Sequence, residues 1–73
     1  MRNSSVQQAA FEKRATEASD LIARLVAAGA TPAQIAEQTS VSERTVYRWW
    51  KSGNAPHPIL LEGLRRMVSE RGL

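Results

Sequence analysis

The stretch from Thr31 to Trp50 constrains the fold more than any other part of this 73-residue chain. Counting from Ala36, the candidate turn residue Ser40 follows after four positions, the aliphatic Val46 after ten and the aromatic Trp49 after thirteen. Two short helices that cross steeply need this order, because a small residue lets the backbones approach and the larger ones anchor the second helix on a core. The spacing therefore predicts a helix-turn-helix unit.

Both helices of this unit have clear start signals. The first reads Thr-Pro-Ala-Gln from Thr31, which gives a capping box with proline at the first helical position. We expect this helix to end by Thr39. Ser42 can cap the second helix, which we expect to run to about Lys51 before glycine and proline break it.

A further helix is predicted on each side of the unit. Apolar residues at steps of three and four favour one continuous helix from Ser5, capped by Ser5-x-x-Gln8, to Ala28. The alternative is a start near Ser19 that leaves an N-terminal arm. A last helix should open at Pro58 and run to about Arg71. The sequence thus predicts a small all-α, four-helix domain over residues 19–73, with residues 1–18 as an arm or a helical extension.

Composition narrows the classes of protein. The chain has no cysteine and a single histidine, His57, so it offers neither a disulfide framework nor zinc-finger spacing. It also lacks a glycine-rich phosphate loop and a nucleophile paired with a base. We therefore expect no enzyme, no metal, no cofactor and no small-molecule ligand. No apolar run is long enough to span a bilayer and no signal-peptide pattern is present, which indicates a cytoplasmic, nucleoid-associated protein without a membrane partner.

The predicted third helix has a cationic face. At 100° per residue, Arg44, Arg48 and Lys51 lie opposite Val46 and the two tryptophans, which we expect to be core residues. Arginine can bond bidentately to guanine and lysine can neutralise phosphate, so this face favours double-stranded DNA as the partner. An ordinary solvated cationic face is the alternative. A competing register would instead bury Tyr47 and Trp50 and break up the cationic stripe.

The pattern Ile35-Ala36-x-x-x-Ser40-Val41-Ser42-x-x-Thr45-Val46-x-x-Trp49 resembles the helix-turn-helix of the lambda-repressor-like (Cro and phage repressor) superfamily, over about residues 19–70. Ser40 departs from the glycine that this superfamily most often has in the turn, so it must accept a left-handed backbone. The resemblance implies phosphate contacts by Thr31 and Gln34, to which we add Thr45 and Lys51 from their places on the third helix. It implies base contacts by Ser42, Glu43, Arg44, Tyr47 and Arg48.

These observations lead to a functional hypothesis with two alternatives. We expect a transcriptional repressor that occludes a promoter and binds DNA as a homodimer. The two copies should pair through apolar residues that lie outside the core, namely Val6, Phe11 and Ile59. One alternative is a helical protein–protein module such as an antitoxin or a phage adaptor. The other is a DNA-binding excisionase or packaging-initiation subunit. Gly63, inside the last helix, predicts a close approach by a neighbour, for which Trp50 is the candidate.

Overall fold

Four helices make up the part of the chain that the computed structural model describes, which is the backbone of residues 2–72 and the side chains of residues 8–72. They are α1 (Arg2–Ala27), α2 (Pro32–Thr39), α3 (Glu43–Lys51) and α4 (Pro58–Glu70). No strand occurs within residues 2–72. The predicted all-α, four-helix fold is confirmed. Among these helices, none combines the length and apolarity needed to cross a membrane.

Helix α1 is continuous, as the periodicity favoured, and a separate start near Ser19 is wrong. It already begins at Arg2, so Ser5 lies inside the helix and the predicted cap at Ser5 is wrong. Adding turns to an existing helix fixes one residue per hydrogen bond, which is easier than starting a new helix. α1 crosses from residue 18 to residue 19 without a break, and the proposed domain boundary there stays a prediction.

Helix α1 ends at a glycine with a left-handed backbone. Gly29 has φ 104°, and its N–H donates to the carbonyl of Val26 at 3.0 Å, while the N–H of Ala30 donates to that of Leu25 at 2.9 Å. This pair of bonds is the Schellman motif, which satisfies the last carbonyls of a helix. It lets the chain turn sharply into α2.

The turn between α2 and α3 repeats this motif without glycine. Ser40 has φ 60° and ψ 38°, in the left-handed region. Its N–H donates to the carbonyl of Glu37 at 3.3 Å, and that of Val41 donates to Ala36 at 3.0 Å. The left-handed Ser40 is thus confirmed. Its Cβ meets a steric penalty that glycine would avoid.

The core lies where all four helices meet. α1 packs against α3 and α4, and α2 packs against the same two helices. Val46 is fully buried and Trp49 is 4% exposed, which confirms the predicted register. Trp50 is half-buried and packs against the edge of this core, so its assignment as a core residue is only partly confirmed. The fully buried large side chains are Ile22, Leu25, Ile35, Val46 and Leu64.

An ion pair on the surface ties α4 to α1. The guanidinium of Arg65 donates from Nε and Nη2 to both carboxylate oxygens of Glu17, at 2.6 and 2.9 Å, and from Nη1 to Glu62 at 3.0 Å. The hydrogen bonds from Arg65 lower the pKa of the Glu17 carboxyl below its ordinary value of 4.5. The hydrogen bond to Glu17 and, to a lesser extent, the one to Glu62 raise the pKa of Arg65 above its ordinary value.

Gly63 faces a different neighbour from the one predicted. A Cβ at this position would lie 3.9 Å from Cγ2 of Thr39, and Trp50 is not among the atoms close to it. Thr39 is held there because its hydroxyl donates to the carbonyl of Ile35 at 2.7 Å. At 3.9 Å the contact is ordinary, so the fold of this chain leaves room for alanine at position 63.

Candidate nucleic-acid interface

Helix α3 has two opposite faces with different chemistry. Val46 and Trp49 anchor one face in the core, while Arg44, Arg48 and Lys51 are exposed on the other. Within residues 8–72 the salt bridges all involve Arg65, so none of these three cations is paired with a carboxylate. Their charge is therefore free to attract a polyanion.

The N-terminal end of α3 holds four of the predicted contact residues, which are Arg44 and the three polar residues Ser42, Glu43 and Thr45. Ser42 caps the helix, since its Oγ accepts from the N–H of Thr45 at 3.2 Å. The two hydroxyl groups also bond to each other at 2.9 Å. Glu43 is exposed in the first turn, where a negative charge favours the helix dipole. Capping occupies part of the hydrogen-bonding capacity of both hydroxyls, although Ser42 stays exposed and Thr45 half-exposed.

The C-terminal end of α3 carries an aromatic and cationic cluster, formed by Tyr47, Trp50 and Lys51. The rings of Tyr47 and Trp50 are stacked, with their centroids 5.9 Å apart and their planes at 28°. The Nζ atom of Lys51 lies 4.2 Å from the centroid of the Trp50 ring. Tyr47 is 45% exposed, so this cluster borders the cationic face and presents polar groups to solvent.

Helix α1 contributes a contact that the sequence did not predict. The hydroxyl of Ser19 donates to the backbone carbonyl of Trp50 at 2.9 Å. This carbonyl belongs to the last turn of α3, where carbonyls have no partner within the helix. Ser19 shares a helical face with Ile22, three positions on, which places it beside the core. No local pattern indicates that its acceptor lies 31 residues away.

The other two predicted phosphate contacts, Thr31 and Gln34, lie at the start of α2. The N–H of Gln34 donates to Oγ1 of Thr31 at 3.1 Å, and the N–H of Thr31 donates to Oε1 of Gln34 at 3.0 Å. This confirms the predicted capping box. Both side chains are exposed, and their contact with phosphate stays a prediction.

Taken together, a capped α2, a turn closed at Ser40 and an α3 anchored on one face define a helix-turn-helix domain of the DNA-binding type. A family model for the homeodomain-like domain matches residues 12–58, which include α2, α3 and most of α1. The chain belongs to this family of homeodomain-like domains. No curated protein matches the chain, and no solved structure matches it either.

Proposed function

We propose that this protein is a sequence-specific regulator of transcription that binds double-stranded DNA with α3 in the major groove. The observation that carries the proposal is the exposed cationic face of α3, opposite Val46 and Trp49, whose charges form no salt bridge within residues 8–72. α3 is about 10 Å across with its side chains, which matches the width of the major groove of B-DNA, about 12 Å. Its anchored face sets the orientation in which the other face meets DNA.

The proposed contacts fall into two groups. Base edges are read by Ser42, Glu43, Arg44, Tyr47 and Arg48, of which the two arginines suit guanine because each can bond bidentately to its O6 and N7 atoms. Backbone phosphates are bound by Thr31, Gln34, Thr45 and Lys51, which position the protein without reading sequence. Arg44, Arg48 and Lys51 are all exposed, so each of them can reach DNA.

We infer further that the protein represses transcription by occluding a promoter and that it acts in the cytoplasm at the nucleoid. We also infer that, within the wider helix-turn-helix class, it resembles lambda-repressor-like regulators. The left-handed Ser40 supports this resemblance, because it stands where those regulators most often have glycine. The proposal assigns the chain binding and no catalysis.

The decisive experiment is selection of bound duplexes from a random pool, followed by binding measurements on alanine variants. Arg44→Ala and Arg48→Ala should each weaken binding to the selected site by about 1–3 kcal/mol and relax base preference, whereas Lys51→Ala should weaken all duplexes alike. Arg66→Ala, on α4, is the matched control, since it removes the same charge from another exposed position. Binding by both arginine variants as tight and selective as wild type would refute this reading surface.

Salt dependence separates DNA binding from the alternative of a protein–protein module. A surface that neutralises phosphates releases counterions, so its affinity falls steeply with rising salt. We expect that slope for the wild-type protein and a slope flatter by about one unit for Lys51→Ala. A wild-type protein with no affinity for any duplex at low salt would favour the protein–protein module.

We propose that the protein binds as a homodimer on a two-fold symmetric site. One recognition helix reads only a few base pairs, and pairing two of them on successive major-groove faces, about 34–36 Å apart, gives useful selectivity. Two apolar side chains support the proposal: Ile59 on α4 is 74% exposed and Phe11 on α1 is 42% exposed. Val6 was also predicted to contribute to the dimer contact, but its side chain is not among those that the structure describes. Light scattering with and without a selected duplex tests the idea, and a monomer in both, on a site without inverted repeats, would refute it.

A further inference from the structure

Trp50 contacts two side chains that we assign to DNA binding, although we assign it no DNA contact of its own. Its ring stacks with that of Tyr47 and lies 4.2 Å from the Nζ atom of Lys51. An ammonium group over an aromatic face is attracted by the ring quadrupole, and tryptophan provides the strongest such attraction. The ring therefore favours one location for the charge of Lys51 among the many that a flexible side chain can reach.

The position of Trp50 is itself fixed from three sides. Its ring packs partly against the core and stacks with Tyr47 at a centroid distance of 5.9 Å. Its carbonyl accepts the 2.9 Å hydrogen bond from Ser19 on α1. The backbone of Trp50 is thus tied to α1, while its ring is held by the core and by the preceding turn of α3, which makes the ring a suitable support for a neighbouring side chain.

We propose that Trp50 is a positioning residue of the DNA-binding surface, whose ring holds the Lys51 ammonium where it meets a DNA phosphate. This inference rests on the proposed function. Lysine has four rotatable side-chain bonds, and binding must restrict them. A lysine that is ordered before DNA arrives loses less freedom on binding. The ammonium has three N–H donors, so it can stay on the ring and still donate to a phosphate oxygen.

A role limited to packing makes a different prediction. If Trp50 only shields the edge of the core, its replacement changes the stability of the domain, and any effect on DNA binding is the same whether or not Lys51 is present. If it acts through Lys51, most of its effect on affinity disappears with that lysine. Double-mutant cycles separate these cases because they isolate the pairwise interaction from the effect of each single change.

The test uses Trp50→Leu, Lys51→Ala and the double variant, with binding to a short duplex of mixed sequence measured by fluorescence anisotropy at several salt concentrations. We expect Trp50→Leu to weaken binding about two- to fivefold, the equivalent of one exposed cation–π contact. In the Lys51→Ala background we expect the same change to have a much smaller effect on affinity, limited to what the ring contributes through the stacked Tyr47. Trp50→Phe, which keeps an aromatic face, should recover part of the loss.

Lys13→Ala gives the matched control, because Lys13 is the other lysine of the chain and is exposed on α1. The effect of Trp50→Leu should persist in full beside it. Thermal melts ensure that each variant is folded at the assay temperature. If the wild-type protein binds duplex DNA and Trp50→Leu weakens binding equally with and without Lys51, the positioning role is refuted while the proposed function stands. If the wild-type protein binds no duplex, both fail.

Discussion

Replacing Ser40 by glycine should make the protein more stable. Ser40 has φ 60°, a left-handed conformation that disfavours any residue with a Cβ. Its side chain is exposed, so glycine removes no packed atoms. The two hydrogen bonds that close the turn, from the N–H groups of Ser40 and Val41, involve only the backbone and are kept in the variant.

The size of the effect follows from two opposing contributions. Relief of the left-handed conformation gains about 1–2 kcal/mol, while the larger freedom of glycine in the unfolded chain gives back about 0.5–1 kcal/mol. The free energy of unfolding should therefore rise by up to about 1.5 kcal/mol, with a middle value of about 0.75 kcal/mol. For a domain of this size the middle value corresponds to a melting temperature higher by about 3–6 °C.

Thermal melting followed by circular dichroism measures this shift, with Ser52→Gly as the control. Ser52 is also exposed and lies at the C-terminal cap of α3, but its φ is −107°. The same substitution there relieves no strain and should leave the melting temperature unchanged or slightly lower it. If Ser40→Gly melts at or below the wild-type temperature, the left-handed backbone of Ser40 is not a source of strain and the argument is wrong.

Three further predictions concern the core, α4 and the ion pair. Trp49→Ala should lower the free energy of unfolding by about 3–5 kcal/mol, so a thermal melt should show little folded protein even at room temperature. A variant that has the wild-type melting temperature but no longer binds DNA would contradict the assigned register. Gly63→Ala should raise stability by up to about 1 kcal/mol in urea unfolding, since a Cβ there meets only Cγ2 of Thr39 at 3.9 Å; a less stable variant would mean that this contact is tighter than described. The folded protein holds the pKa of Glu17 below 4.5, so the contribution of its carboxylate to stability is present at neutral pH and is lost as the pH falls below that value. Glu17→Gln should remove this part of the acid sensitivity. An unchanged dependence of the free energy of unfolding on pH would refute the prediction.

The sequence predicted those features that depend on local chemistry. Thr31 and Ser42 cap their helices because of the side chains at and just after each cap, and the order of Ala36, Ser40 and Trp49 is set by the geometry of one turn. The cationic face of α3 also follows from helical periodicity alone. These parts of the fold and of the candidate interface are therefore readable without a structure.

The features that the sequence missed depend on contacts between distant residues. The bond from Ser19 to the Trp50 carbonyl joins two helices, and the neighbour of Gly63 proved to be Thr39 on α2. The partial burial of Trp50 against the core also depends on residues that are distant in the chain. The early start of α1 at Arg2 was missed for another reason, since Ser5 resembles a cap although the helix can continue past it.

The order in which the helices are synthesised has a consequence for this fold. α3 has nine residues, fewer than the ~12–15 that an isolated helix needs to be even marginally stable in water. The core that α3 shares with α1 and α2 is completed by Leu61, Leu64 and Met67 on α4, which leaves the ribosome later. A nascent chain that ends within residues 52–57 thus carries every residue proposed to touch DNA, but the core shared by its first three helices is incomplete. A stop codon there should abolish DNA binding and expose Val46 and Trp49 to the degradation machinery of the cell.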